Sequence, residues 1–361
     1  MTGNPSFQRF VSLTERDVPM LLARMSKDDL GIDGERYGVV SRLIARPNAT
    51  VPDLAVALIN KLCLVHSIAR ADLGGIVLSS RSFEVEEHLA ETMRRLEVSC
   101  EASAIERACS GFPAATELAV EMSTRLEERV ALLTPEIISR NINWEPPNDT
   151  PADQHRARAQ ASKLFADGAA AVLVHPPGET SGHEILDAWH GEVRDEHALI
   201  QKSEVPEALD PWGEVQAGTT TCISMPGRRG WQLMRTAPEL MTQAAHKSLT
   251  NALRRGDIEG EPLAGVVHHQ ANGLMVPRIE KHLAETDWGQ NAKVWNCIAT
   301  HGNTVSATIP LAMADVQDKL EPGSLVAMPS VGAGGPGYRP DVLSTGCVLI
   351  RVGRPETAGQ A

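Results

Sequence analysis

The run Glu106-Arg107-Ala108-Cys109-Ser110-Gly111-Phe112 marks the place where an apolar, strand-like approach stops and an amphipathic helix begins. Past it, Ala115, Leu118, Ala119, Met122 and Leu126 recur at i, i+3, i+4, i+7 and i+11, the spacing of one buried helical face. A cysteine at a helix start faces unpaired N–H groups and the positive end of the dipole. Both favour the thiolate, which is the nucleophilic form. A small packing cysteine fits the same position, because free cysteine is among the most buried residue types.

Upstream, Gly74-Gly75-Ile76-Val77-Leu78 reads as a short strand followed by a loop and a helical stretch from Glu86 to Leu96. A second strand-like approach then ends at Cys109. The C-terminal half repeats that order. Ala264-Gly265-Val266-Val267 is a strand that runs into His268-His269-Gln270-Ala271-Asn272, and a helix follows from Val276 to Glu285. A second strand, Lys293 to Ala299, ends at His301-Gly302-Asn303-Thr304 before a helix from Ser306 to Val316. Two such units suggest a duplicated α/β chain, with an N-terminal half at 1–180 carrying the cysteine and a C-terminal half at 181–361. In α/β sheets, ligands collect outside the carboxyl ends of strands, where helix N-termini supply donors. If the halves pack as pseudo-equivalents, Cys109 meets His269 and Asn303 at one shared site.

Between the halves, Asn141 to Gln160, Pro176 to Gly182 and Pro206 to Gly218 read as long loops, the kind that are functional or mobile. The strands Leu325–Met328 and Cys347–Val352 flank Val331-Gly332-Ala333-Gly334-Gly335-Pro336-Gly337. That turn is either a plain hairpin or a place where backbone N–H groups approach a ligand closely.

Composition bounds the function. The 361 residues can bury a substantial core, and the apolar share of 42% is that of an ordinary globular protein. A net charge of −12 argues against a general nucleic-acid or anionic-membrane binder. The six cysteines are scattered, with no CxxC pair and no zinc spacing, so free thiols in a reducing cytoplasm and no metal site are expected. Met1 to Leu13 has no apolar signal core, and no run approaches a membrane span.

A cysteine nucleophile needs an activating charge or dipole, and donors for the oxyanion formed when a carbonyl is attacked. His269 can be that partner or a structural histidine; Asn303 can be a site donor or an N-cap residue. An imidazole N–H and an amide N–H aimed at one point can stabilise a thioester enolate.

Ala108-Cys109-Ser110-Gly111-Phe112, Phe165-Ala166-Asp167-Gly168-Ala169-Ala170-Ala171, His269-Gln270-Ala271-Asn272 and Gly302-Asn303-Thr304 occur in this order. They resemble the signature runs of β-ketoacyl-(acyl carrier protein) synthase III and its relatives in the thiolase superfamily. Ser41-Arg42-Leu43-Ile44-Ala45 and the glycine turn at 332–335 fit as well, so the resemblance spans about residues 37–353. It implies a five-layer α-β-α-β-α thiolase fold, a homodimer and no cofactor beyond acyl-coenzyme A or acyl-carrier-protein thioesters. It implies that Cys109 takes the acyl group, with an oxyanion hole from the backbone N–H groups of Cys109 and Gly334. His269 and Asn303 would bind the thioester carbonyl of a malonyl-type extender and favour its decarboxylation to an enolate.

The departures point to a specialised pathway. Gly273 and Leu274 stand where the family usually has an arginine after HQAN, and no coenzyme A-binding tract is recognisable before Arg36. Where the family has a phenylalanine gate, this chain reads Phe83-Glu84-Val85-Glu86-Glu87-His88. Relatives that condense without decarboxylation carry a glutamate base nearby. Glu84, Glu86 and Glu87 are therefore either a gate or base, or the acids that helix starts favour. The expected activity is acyl transfer to Cys109 and decarboxylative Claisen condensation. The alternatives are transfer to a hydroxyl or amine, condensation through a glutamate base, or a non-enzymatic partner on the same fold.

Overall fold

The computed structural model describes residues 4–30, 37–81, 84–144, 161–179, 182–194, 201–216, 218–224, 227–333 and 342–353. Its strands are β1 (Ser6–Phe7), β2 (Val11–Ser12), β3 (Leu22–Ser26), β4 (Ser41–Ala45), β5 (Leu73–Ser79), β6 (Glu101–Ile105), β7 (Arg129–Glu136) and β8 (Gly168–His175). There follow β9 (His183–Arg194), β10 (Gln201–Pro206), β11 (Thr219–Ser224), β12 (Leu263–Val266), β13 (Lys293–Val294), β14 (Leu325–Ala333) and β15 (Val342–Arg351). The helices are α1 (Val51–His66), α2 (Val85–Leu96), α3 (Gly111–Leu126), α4 (Gly227–Arg255), α5 (Val276–Ala284), α6 (Ile298–His301) and α7 (Thr308–Val316).

An eleven-stranded sheet runs in the order β13-β12-β14-β15-β9-β1-β8-β7-β5-β6, with β2 attached to β8. Its two arms mirror each other. In one, β5 pairs in parallel with β6 and β7, and β8 closes antiparallel on β7. In the other, β12 pairs in parallel with β13 and β14, and β15 closes antiparallel on β14. The arms join where β1 pairs with β9 through Ser6↔Glu184 and Phe7↔His183.

Side-chain alternation explains the layering, since successive residues of a strand point to opposite faces. On β7, Ala131 and Leu133 pack with Leu54, Leu58 and Leu62 of α1, while Val130 and Leu132 pack with Phe112 and Met122 of α3. On β14, Val326 and Met328 join that same central cluster, whereas Leu325 and Ala327 pack with Met241 and Leu249 of α4 and Ile279 of α5. Ile309 and Met313 of α7 share the centre with Phe112. Both faces of both arms are therefore covered, and α3 and α7 form a buried middle layer. This is the five-layer α-β-α-β-α thiolase fold.

Some local expectations change. The strand foreseen over 293–299 stops at Val294, and α6 begins at Ile298. Cys297 Sγ is half-buried there, and the Gln270 side chain accepts from the Cys297 amide at 3.0 Å, which ends the strand by a side-chain bond. The stretch after Pro206, read as a loop, forms a short antiparallel bridge between Leu209 and Val215. β10 pairs with β11 as a separate two-stranded sheet. Residues 145–160 of the first long loop lie outside the described residues. None of the six cysteines is in a disulfide.

Candidate active site

Cys109 lies in a 3-10 turn, Ala108–Ser110, wedged between the end of β6 and α3. Ala108 has φ of +45°, a left-handed conformation that costs an L-residue about 1–2 kcal/mol. The strain turns the chain sharply, so that Cys109 sits at the tip of an elbow and α3 leaves directly behind it. Gly332, in β14, faces that elbow. A Cβ built on Gly332 would stand 3.1 Å from the Cys109 amide nitrogen, 3.0 Å from that of Ser110 and 2.9 Å from Ser344 Oγ. Only a glycine brings the β14 backbone so close to the cysteine amide. Gly334, the residue foreseen as oxyanion donor, lies outside the described residues. Gly332→Ala is expected to slow acylation of Cys109 about ten-fold or more by displacing the elbow amides, measured by single-turnover intact-protein mass. An unchanged rate would separate the close approach from reactivity.

Asn303 and His269 reach the same region from the other arm. Asn303 pairs with Phe165 in a parallel bridge. The Asn303 amide donates to Leu164 at 2.8 Å, and its carbonyl accepts from Ala166 at 2.9 Å. Its Oδ1 accepts from the Val305 amide at 3.0 Å, which leaves the side-chain Nδ2 as its remaining donor. Phe165, Val305 and Cys109 pack in one small cluster with Ile138 and Ile142. His269 ends the β12 approach, and its amide donates to Pro329 of β14 at 2.9 Å. His269 is 1% exposed, and neither ring nitrogen makes a hydrogen bond of ordinary geometry among the described residues, the Val305 backbone being the polar group that acts on the ring. Buried polar groups are normally satisfied, so an imidazole left open in this way has room for an incoming acceptor or donor.

The other letters of these motifs are braces. Gln270 Nε2 donates to the carbonyls of His268 at 2.8 Å and Trp295 at 3.0 Å. Asn272 Oδ1 accepts from the Leu274 amide at 2.9 Å and caps the next 3-10 turn. Asp167 accepts from the Ala45 amide and from the amide and hydroxyl of Ser139, at 2.8, 2.8 and 2.6 Å. Arg42, 1% exposed, donates to the carbonyls of Ser162, Phe165 and Lys163. The segment that carries Phe165 is thus clamped from both sides, and Asn303 is clamped to it.

Electrostatics correct one expectation. The helix start was expected to favour the thiolate, but burial pushes the Cys109 thiol up to about 12. The Arg81 charge pulls it down and the Glu136 charge pushes it up, both more weakly than burial. Burial also lowers His269 to about 3, with the His268 ring adding to the fall and the Val305 backbone opposing it weakly. At neutral pH the pair is therefore a thiol and a neutral imidazole.

Arg81 and Glu136 were not foreseen. Glu136 closes β7 and is 1% exposed. Its Oε2 accepts from the Arg81 amide at 2.9 Å, and its Oε1 accepts from the Ser306 amide at 3.2 Å and from the Ser306 hydroxyl. Desolvation raises its carboxyl to about 7, against hydrogen bonds from Ser306 and Arg81 that lower it. The signal was available: an acid at the end of the apolar run Val130-Ala131-Leu132-Leu133-Thr134-Pro135-Glu136 occupies a strand terminus, like His269.

This network has a counterpart across the molecule. Val305 repeats the positive φ, at +55°, and opens the 3-10 turn before α7 as Ala108 does before α3. Ser306 thereby corresponds to Cys109, and the matched strand registers put Glu136 where Gly332 stands. Glu84 is the exposed residue preceding α2, and Glu86 and Glu87 are exposed on its first turn.

A five-layer duplicated fold with a cysteine at a strained elbow between strand and helix is the architecture of a condensing enzyme of the thiolase type, and comparisons agree. The family described as 3-oxoacyl-[acyl-carrier-protein (ACP)] synthase III matches residues 104–192, and its C-terminal part matches 253–351. The chain belongs to this ketosynthase III-like family of condensing enzymes. It is 26% identical over 325 residues to the beta-ketoacyl-[acyl-carrier-protein] synthase III of Wolbachia pipientis wMel, covering 88% of each chain. It is 28% identical over 313 residues to the 3-oxopimeloyl-[acyl-carrier-protein] synthase of Rhodothermus marinus, covering 83% of this chain and 81% of that one. The crystal structure of the Pseudomonas aeruginosa 3-oxoacyl-(acyl carrier protein) synthase III superposes with a TM-score of 0.71 at 21% identity, covering 98% of this chain and 100% of that one. Among the described residues, no helix is long and apolar enough to cross a membrane, and no group of three His, Cys, Asp or Glu could hold a metal ion.

Proposed function

We propose that the protein loads an acyl group from a thioester onto Cys109 and condenses it with a malonyl-type thioester, releasing carbon dioxide and forming a carbon–carbon bond. The observation that supports this reading most is the strained elbow at Ala108 that carries Cys109, packed with Val305, the residue whose amide the Asn303 side chain holds. In the first half-reaction the Cys109 sulfur attacks the thioester carbonyl, and its proton leaves with the departing thiol. Elbow amides and the glycine turn, including Gly334, would hold the oxyanion. In the second half-reaction, loss of carbon dioxide leaves an enolate whose oxygen accepts from Asn303 Nδ2 and the His269 ring. Its carbon attacks the acyl-cysteine, and the thiol is restored with a proton from solvent.

The donors would be coenzyme A or acyl-carrier-protein thioesters, with no further cofactor. The reading includes a cytoplasmic homodimer, and the place of β6 at the edge of the sheet suits pairing with a second copy. The protein would serve a specialised acyl pathway. Asn303→Ala is expected to keep Cys109 acylation within about threefold while lowering carbon dioxide release about a hundredfold, since a buried donor to a developing charge is removed. Unimpaired product formation would refute the enolate role. Transfer to a hydroxyl or amine, and condensation with Glu84, Glu86 or Glu87 as base, are the readings that product analysis would then distinguish.

A further inference from the structure

Arg42, on β4, is the bulkiest fully buried side chain among the described residues. A cation is not needed to fill that space, since an apolar residue of like volume would do so without desolvating a charge. The guanidinium instead forks across the segment that carries Phe165. Nη1 donates to the carbonyls of Ser162 at 2.8 Å and Phe165 at 2.6 Å, and Nη2 donates to that of Lys163 at 3.2 Å. Burial lowers the guanidinium to about 10, with the Asp167 charge opposing the fall, so it stays a cation at neutral pH.

The Phe165 carbonyl belongs to the peptide whose N–H, that of Ala166, donates to the Asn303 carbonyl at 2.9 Å. Arg42 and Asn303 are therefore one peptide group apart. A cation on the carbonyl side polarises that group and strengthens the bond on its amide side. The Asn303 amide closes the register on the Leu164 carbonyl at 2.8 Å. The base of the Arg42 side chain also lies against the turn before Asn303. Gly302 has φ of +66°, and a Cβ built there would stand 3.6 Å from Arg42 Cβ, 3.2 Å from the Leu164 carbonyl oxygen and 2.9 Å from Ala166 Cβ. The constraint passes on to the side chain, because Asn303 Oδ1 accepts from the Val305 amide. The direction of Nδ2 thus follows the place of the Asn303 backbone.

We infer that Arg42 is a positioning residue for the carbon–carbon bond-forming half-reaction, aiming Asn303 Nδ2 at the enolate oxygen through the Phe165–Ala166 peptide. The inference rests on the enolate role proposed for Asn303. Cys109 hangs on the Ala108 elbow and the close approach of Gly332, and neither involves Arg42. The two half-reactions should therefore respond differently to its loss.

The test follows Cys109 loading from a butyryl thioester, by single-turnover intact-protein mass, and carbon dioxide release from a malonyl thioester. Each is offered on coenzyme A and on carrier protein. Arg42→Met should lower release about a hundredfold, as for a donor displaced by about 1 Å, with loading within about threefold. Arg42→Lys keeps the charge but cannot fork across three carbonyls, and should stand about ten-fold below the wild type. It decides the matter if Arg42→Met fails to fold. In an Asn303→Ala chain neither change should lower release further by more than about twofold, because the group that Arg42 aims is gone. Release unmoved by the Arg42 variants, loading lost in step with release, or a second full loss in the Asn303→Ala chain overturns the inference and leaves Asn303 as the donor. If the wild type gains no acyl mass or releases no carbon dioxide, or if Asn303→Ala releases it at the wild-type rate, the underlying reading falls and the inference with it.

Discussion

Cys109→Ala should leave a folded protein that no acyl thioester can mark. The substitution deletes one buried sulfur, and the elbow at Ala108, the Gly332 approach and the packing of α3 on Val130 and Leu132 do not depend on it. A loss of about 1 kcal/mol of stability is expected from the small void. The mass gained on incubation with an acyl thioester should vanish altogether. Survival of that adduct would assign the acyl group to another residue. The wild-type thiol carries a second signature. Since burial holds it near 12, the thiolate fraction grows with every unit of pH across the neutral range, and alkylation should accelerate accordingly without a plateau below about pH 10. A plateau near neutrality would mean that Arg81 and the turn amides outweigh burial.

Glu136→Ala should be the most damaging change outside the reacting groups. It strips acceptors from the Arg81 amide, the Ser306 amide and the Ser306 hydroxyl in a site 1% exposed. Breaking a buried, hydrogen-bonded charge network in this way costs about 3–5 kcal/mol, read as a lower urea midpoint. Glu136→Gln keeps the shape and one acceptor and should lose about 1–2 kcal/mol. The pH dependence separates charge from shape. The folded carboxyl, raised from 4.5 to about 7, binds protons that the unfolded chain has released across that window. Stability should therefore fall as pH rises from about 4.5 to 7 and level off above, a slope that Glu136→Gln removes. An unchanged slope in that variant would assign it to other groups.

Much of this was legible in the chain. The strand-to-helix grammar around Cys109 and its repeat around His269 and Asn303 follow from hydrophobic period and strand ends, which are local properties. The middle layer follows from α3, whose apolar face is continuous. What was not legible is non-local. The strand over 293–299 had the right residues but ended because Gln270, from another segment, captured the Cys297 amide. The elbow was hidden because left-handed backbone is signalled by glycine, and Ala108 and Val305 adopt it without one. The thiol was misjudged because a helix start is visible in sequence and desolvation is not. Arg81 reads as a loop cation until the fold buries it beside Glu136.

The paired elbows at Ala108 and Val305 show how a duplicated chain divides its labour. Both copies bend the backbone in the same costly way. In one copy only a hydrogen atom, that of Gly332, faces the turn, and the β14 backbone closes on the amides of Cys109 and Ser110. In the other a carboxylate grown from the matching strand position permanently occupies the seat and binds the serine that replaces the thiol. The serine copy is tied across the two arms by that carboxylate, while the cysteine copy keeps its turn amides against bare backbone.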